Sequence, residues 1–252
     1  LGRRTALLVH SWDNLTNKGL IRIVPDVVLV WNETQRREAI EMHDVPAERI
    51  TVTGAQGYDV WYDMMPTNSR EAFCERVGLD PARPFVLYTG SSSFIGADAE
   101  PQLVGDLRLA LQAATRPGEP TMQILVRPHP QNAEPWDSLP NEDNFVVYPR
   151  GGALPVASSA RDDFFDSIFH SLAVVGVNTS VMIEASIIGR PVLSLIDDRF
   201  REVQEGTLHF HHLLNGGYLL TAYSASRLGD IILALAHGEM EYQAGDCRFL
   251  DN

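Results

Sequence analysis

The stretch Gly176-Val177-Asn178-Thr179-Ser180-Val181-Met182-Ile183-Glu184-Ala185-Ser186-Ile187-Ile188-Gly189-Arg190-Pro191-Val192 leaves an apolar strand-like run, turns through polar residues, and continues as an apolar helical run. A glycine then stops the helix and a second strand begins. Ser180 stands where a helix N-cap belongs, and Gly189 followed two residues later by Pro191 is a helix terminator. A strand, turn, helix and strand in this order form the repeating unit of an α/β fold with parallel strands.

The pattern extends outward in both directions. Apolar, largely β-branched runs read as strands at 6–9, 27–31, 50–53, 85–88, 123–126, 145–148, 173–176 and 192–195. Strands apolar throughout are those buried on both faces. Helical patterns fall at 33–42, 70–77, 102–114, 163–171, 181–188 and 225–236. Gly54-Ala55-Gln56-Gly57-Tyr58-Asp59 closes one strand run, and Pro66, Pro81 and Pro84 punctuate the approach to the next. The expected fold class is therefore α/β with two Rossmann-like domains. Residues 1–60 are read as the end of a first domain, 61–83 as a connection and 84–252 as a second domain.

Composition narrows the chemistry. With 44% hydrophobic and 21% charged residues the chain is expected to fold as a soluble globular protein. Its formal net charge of −13 disfavours a broad electrostatic grip on nucleic acid or anionic lipid, so any anionic ligand must be held locally. Cys74 and Cys247 are the only cysteines and form no ligand pair, which fits a reducing, cytoplasmic setting. No apolar run reaches the ~20 residues needed to span a bilayer, although peripheral contact with a membrane stays open. The absence of an initiating Met, with a strand almost at the start, leads us to expect that a longer chain has lost its N-terminal part and that the first domain is incomplete.

Open parallel sheets bind ligands beyond the carboxyl ends of their strands. In Asn178-Thr179-Ser180, free backbone N–H groups and two hydroxyls at a helix start form a candidate phosphate cradle; the competing reading is simple capping. Glu184, four residues after Ser180, does not complete a capping box and suits a ribose hydroxyl. Arg127-Pro128-His129-Pro130 follows another strand, and its two prolines hold His129 in a stiff loop beside Arg127, as an anion site or a structural hydrogen bonder. Thr89-Gly90-Ser91-Ser92-Ser93-Phe94-Ile95-Gly96 lacks the lysine of a P-loop and the spacing of a dinucleotide fingerprint, so Ser91 and Ser92 are a donor-side contact or an ordinary serine loop. Tyr148-Pro149-Arg150-Gly151-Gly152 offers Arg150 as a further anion contact.

Nearer the start, His10-Ser11-Trp12-Asp13-Asn14-Leu15-Thr16-Asn17-Lys18-Gly19 offers Asp13 or His10 as a general base, with Asp13 as a turn cap the competing reading. Gly206-Thr207-Leu208-His209-Phe210-His211-His212 gathers three histidines, but no carboxylate or Cys stands at ligand spacing beside them. We read it as a loop, and no metal site is expected.

On these segments the chain resembles glycosyltransferases of the GT-B fold, in which two Rossmann-like domains face each other and the C-terminal one binds a nucleotide-activated donor. Val52-Thr53-Gly54 with Asp59 is similar to the exit from the N-terminal domain of such enzymes. Asn178-Thr179-Ser180 with Glu184, Ala185, Gly189, Pro191 and Val192 is similar to their donor-binding unit. Arg127-Pro128-His129-Pro130 resembles the His-Pro motif of bacterial sialyltransferases, Kdo transferases and CDP-glycerol glycerophosphotransferases, whose Ser/Thr element Thr179-Ser180 would match. The stretch from Ser11 to Gly19 is similar to surface-polysaccharide proteins, and departs from the acidic base motif of sialyltransferases.

The resemblance implies transfer of a sugar or related group from a nucleotide-activated donor to a hydroxyl of a surface glycan or lipid-linked acceptor. A CMP- or CDP-linked donor is preferred over a UDP-linked one, and no further cofactor is expected. His129 would hold the leaving phosphate with Thr179 and Ser180, and Asp13 would serve as base. A nucleotide-sugar 2-epimerase and an inactive nucleotide- or glycan-binding module are the alternatives.

Overall fold

The computed structural model describes residues 2–95 and 99–242. Two parallel sheets organise it. The first has the order β1-β2-β3, from β1 (Ala6–Leu8), β2 (Val27–Val30) and β3 (Ile50–Val52). A single turn, α1 (Asn14–Asn17), lies on the connection from β1, and α2 (Glu33–His43) joins β2 to β3. Asn32 caps α2 by accepting from the Gln35 N–H, and the helix stops at Asp44 in the left-handed region. Val28, Val30 and Ile50 turn one face of this sheet toward Val9, Leu15, Ala39 and Val45 to make a small core.

The passage to the second sheet runs through α3 (Asp59–Asp63) and α4 (Arg70–Val77). It is pinned by Asp166, a fully buried carboxylate that accepts from the Thr67 amide and hydroxyl, both at 2.9 Å, and from Asn68 Nδ2 at 2.7 Å. The second sheet contains β4 (Phe85–Thr89), β5 (Gln123–Arg127), β6 (Phe145–Val147), β7 (Val174–Gly176), β8 (Val192–Leu195) and β9 (Leu219–Ala222), in the order β6-β5-β4-β7-β8-β9. Its helices are α5 (Glu100–Ala114), α6 (Glu134–Asp137), α7 (Ser158–Phe169), α8 (Val181–Ile187), α9 (Leu208–Asn215) and α10 (Ala225–Ala236).

Strand alternation divides the interior of this sheet. Phe85, Leu87 and Leu125 enter a core with Phe73, Phe164, Phe165 and Ile183, whereas Val86, Tyr88, Ile124 and Val126 enter another with Leu103, Leu107, Leu111 and Trp136. The first of these cores also takes in Trp12, Tyr58 and Trp61, so apolar packing continues from the β1–β3 half into the second sheet.

Several elements differ from the sequence expectation. The histidine-rich stretch expected to be a loop enters α9, because Phe210 and Leu213 lie three apart on one face and are fully buried. Strand β9 was not anticipated; it is an edge strand whose residues are mostly half-buried, and it carries no unbroken β-branched run. Helix α7 starts at Ser158, five residues before the expected Asp163. Gly96 and Cys247 lie outside the described residues.

Candidate functional site

The order of the second sheet reverses between β4 and β7, which both pair in parallel with their outer neighbours. At such a switch point the loops leaving adjacent strands diverge and leave a crevice. A cavity of about 480 Å3 occupies this position, lined by Ser92, Phe94 and Ile95 after β4, His129 and Gln131 after β5, and Asn178, Thr179 and Ser180 after β7. Its other wall is Ser11, Trp12, Asp13, Asn17 and Lys18 from the loop and turn after β1, with His209 of α9.

Two glycines let the loop carrying His129 take its place. A side chain on Gly90 would stand 3.1 Å from the His129 nitrogen and 3.3 Å from Pro128 Cα. On the opposite side Gly152, at φ +67°, would bring a Cβ to 2.7 Å from both the Pro128 oxygen and the Pro130 nitrogen. The Arg-Pro-His-Pro loop is thus clamped between two backbones. Within it, His129 Nδ1 accepts from the Gln131 N–H at 3.2 Å, so in the neutral ring the proton sits on Nε2. Burial pushes the ring below the ordinary histidine range. His129 is therefore an uncharged N–H donor near neutral pH.

Neither Asn178 nor Ser180 caps α8. Ser180 has helical backbone angles and its side chain makes no cap bond, which corrects the N-cap expectation; Thr179 Oγ1 accepts from the Val181 N–H at 3.4 Å instead. The Ser180 hydroxyl is left for the cavity. Helix α8 runs only from Val181 to Ile187, so polar groups at this end of the cavity are supplied by side chains rather than by a long helix dipole.

Asp13 stands on the opposite wall, where its carboxylate accepts from Ser11 Oγ at 2.6 Å and pairs with Lys18 Nζ at 3.1 Å. Lys18 is the cation of the lining; its side chain is 56% exposed. Sequence reading quoted Lys18 and His209 within longer stretches, His209 only as a discounted metal ligand, and gave neither these two nor Gln131 a role in this site. Lys18 carried no local signal, and His209 reaches the site across 193 residues, its Nδ1 lying 3.3 Å from Thr16 Oγ1. His10 is exposed and does not line the cavity.

Four expected contacts lie off the lining. Arg127 is the last residue of β5 and its side chain leaves on the face away from the loop, where it bonds Asp163 at 2.7 Å and Ser167 Oγ at 2.6 Å. It also lies over the rings of Tyr148 and Phe164, bracing the strand end rather than facing the cavity. Arg150 turns back to Asn141 Oδ1 at 2.8 Å. Ser91 is buried, and its amide donates to the Glu100 carboxylate at 3.0 Å and 3.1 Å. Glu184 has a sealed Oε2 without a hydrogen-bond partner, and burial pushes its carboxyl up to about 8.

Glu100, fully buried, supports the site from beneath. It receives Ser91 and, more loosely, Asn132 Nδ2 at 3.4 Å, tying the β4 and β5 loops together. Burial raises its carboxyl to about 7 against the opposing pull of these bonds. A second cavity of about 530 Å3, lined by Trp12, Trp31, Asn32, Arg37 and His212 among others, lies on the other side of Trp12. It is away from the switch point. Among the described residues no three His, Cys, Asp or Glu side chains gather into a metal-binding set, and no helix is long and apolar enough to cross a membrane.

No family model and no curated protein matches this chain. Solved structures do. The wall teichoic acid polymerase TagF aligns over 90% of this chain and 53% of its own, with TM-score 0.55 and 15% identity. A putative UDP-N-acetylglucosamine 2-epimerase from Listeria monocytogenes aligns over 85% of this chain and 52% of its own, with TM-score 0.58 and 16% identity. The UDP-GlcNAc 2-epimerase of Methanocaldococcus jannaschii, solved with UDP-GlcNAc and UDP, aligns over 88% and 56%, with TM-score 0.56 and 11% identity. The chain thus spans about half the length of these structures. At such identities the likeness concerns architecture, and the architecture is the Rossmann-like, parallel-sheet arrangement of the GT-B fold.

Proposed function

We propose that the chain binds a nucleotide-activated sugar or related group in the cavity at the switch point and transfers it to a hydroxyl of a surface glycan. The observation that supports this most is the convergence of His129, Thr179, Ser180 and Lys18, from both halves of the chain, on one cavity of about 480 Å3. Such a set suits a diphosphate: a neutral N–H donor, two hydroxyls and one ammonium. In the transfer, the acceptor oxygen bonds to the donor's reacting carbon as the bond from that carbon to the phosphate oxygen breaks. Asp13 takes the hydroxyl proton, exchanging its contact with Ser11 or Lys18, and His129 and Lys18 stabilise the charge left on the nucleotide. Ribose binding by Glu184 belongs to the same reading and needs the ligand to uncover its carboxyl. A cytidine donor is preferred, on the resemblance of the His129 loop.

A 2-epimerase is the second reading, favoured by the epimerase structures named above, which share the fold. Product analysis separates them: a transferase releases nucleotide and lengthens an acceptor, whereas an epimerase returns an altered sugar without an acceptor. The test of the common site is calorimetric titration of CMP, CDP, UMP, UDP and GDP into wild type, His129→Ala and Ser180→Ala. Binding of one nucleotide, weakened by about tenfold in each variant, is the expected result. Silence with all five, also in a longer chain, would overturn the site; binding without turnover of any activated sugar would leave a binding module.

A further inference from the structure

The orientation of Asn178 is fixed by its neighbours. Its Nδ2 bonds the Val203 carbonyl oxygen and lies 3.3 Å from Nε2 of His209. A carbonyl oxygen only accepts, so the Asn178 atom facing it is the amide nitrogen and cannot be the oxygen. The other amide hydrogen then meets His209 Nε2, which must carry no proton in order to accept it. A neutral imidazole keeps one N–H, which falls on Nδ1, 3.3 Å from Thr16 Oγ1. Thr16 can receive it, because its own hydroxyl donates to the Asp13 carbonyl oxygen at 3.5 Å. The ring is held edge-on to Trp12, with centroids 4.8 Å apart.

Both hydrogens of the Asn178 amide are thus spent inside the protein. Its Oδ1 has no partner among the described residues and is not sealed from solvent, and the residue lines the cavity. An unpaired carbonyl oxygen repels a phosphate and accepts from a hydroxyl. We infer that His209 is a positioning residue: as the uncharged Nδ1–H tautomer it fixes Asn178 with its carbonyl oxygen toward the cavity, making Asn178 a reader of ligand hydroxyls, and it ties this group to the Thr16 turn on the opposite wall. The nature of the ligand rests on the nucleotide-sugar reading above; the tautomer does not. Burial lowers the affinity of the His209 ring for a proton, Asp13 and Glu38 raise it, and His212 and Lys18 lower it further.

The test combines a spectrum with variants of the whole chain. In the ligand-free protein, 15N spectra of the imidazole should show His209 neutral at pH 7, protonated at Nδ1 and bare at Nε2; the opposite tautomer or a charged ring overturns the proposal. With the nucleotide that binds wild type, His209→Ala should lose about tenfold in affinity. His209→Gln keeps an acceptor near the Nε2 position and should recover to within about threefold, whereas His209→Asn, which keeps only a donor near Nδ1, should not. Equal losses in all three overturn it. Inorganic pyrophosphate serves as a probe without hydroxyls, and its affinity should be the same in wild type and His209→Ala; a parallel fall would assign Asn178 to phosphate. If no nucleotide binds wild type, in this chain or in a longer one, the nucleotide-sugar reading fails, and the tautomer is decided by the spectrum alone.

Discussion

The two sheets use the same parallel strand-and-helix construction and differ in how they are covered. Strands β4 to β8 are buried on both faces and feed two separate cores. The first sheet buries one face on a small core. Its other face leaves Leu8 at 45% and Val27 at 38% exposure, beside a half-buried Leu29 that pairs with Leu8 in register. The second sheet carries a core on each face, whereas the first has a small core of its own and joins the larger one through shared residues. Trp12, Tyr58 and Trp61 supply the apolar part of that attachment. Thr16 to His209, and Glu38 to His212 at 2.6 Å, supply the polar part. Stability therefore resides mainly in one half, while a site at their junction requires both.

Four substitutions would break or sharpen this contrast. Trp136→Ala empties a fully buried position beside Tyr88 in the second half and should cost about 3–5 kcal/mol in denaturant unfolding. A cost under ~1 kcal/mol would show that the stability lies elsewhere. Gly152→Ala forces a Cβ onto the backbone of Pro128 and Pro130 at φ +67°, for an expected loss of about 2–3 kcal/mol. Nucleotide affinity should fall with it, since His129 rides on that loop; unchanged affinity in calorimetry would mean that the clamp does not position the histidine.

Glu184→Gln carries a sign that depends on pH. The carboxyl is raised from 4.5 to about 8 by burial, so ionisation opposes folding. That penalty is absent below pH 4.5, grows as pH rises toward 8, and is complete above it. The Gln variant escapes it and should be more stable than wild type at pH 8.5 by on the order of 2 kcal/mol, with little difference at pH 4. An advantage that does not grow with pH in thermal unfolding would refute the buried carboxyl. Leu8→Lys, on the exposed face of the first sheet, should change stability by less than about 0.5 kcal/mol. A larger loss would reveal that this face is covered.

The same asymmetry explains what could be read from sequence. Central strands of the second sheet are apolar at every position because both their faces are buried, and that pattern is visible without structure. Edge strand β9, with a single fully buried residue in Ala222, gives only a weak signal. Helix α9 was hidden by its histidines, although Phe210 and Leu213 already had the spacing of a buried face. The lining of the cavity was legible where strand ends carry it, at Ser92, His129 and Asn178-Thr179-Ser180. It was misread at Arg127, where the two-residue alternation of β5 sends the side chain away from the cavity. It was missed at Lys18, whose salt-bridge partner Asp13 is close in sequence, and at His209, read only as part of a metal-free histidine stretch, whose contacts Thr16 and Asn178 come from other parts of the chain.

The strand order also sets a timetable for synthesis. Central strand β4 pairs with β5 and with β7, which begins at Val174. In a chain emerging from the ribosome, β4 through β6 precede residues 174–176, so the edge of β4 that β7 covers has no partner strand until those residues are made. Exposed strand edges of this kind recruit other chains. His129 is made early, but the cavity it faces cannot close before Asn178 and His209 have followed. The edge that β7 covers is therefore made, and open to other chains, before the lining of the cavity is complete.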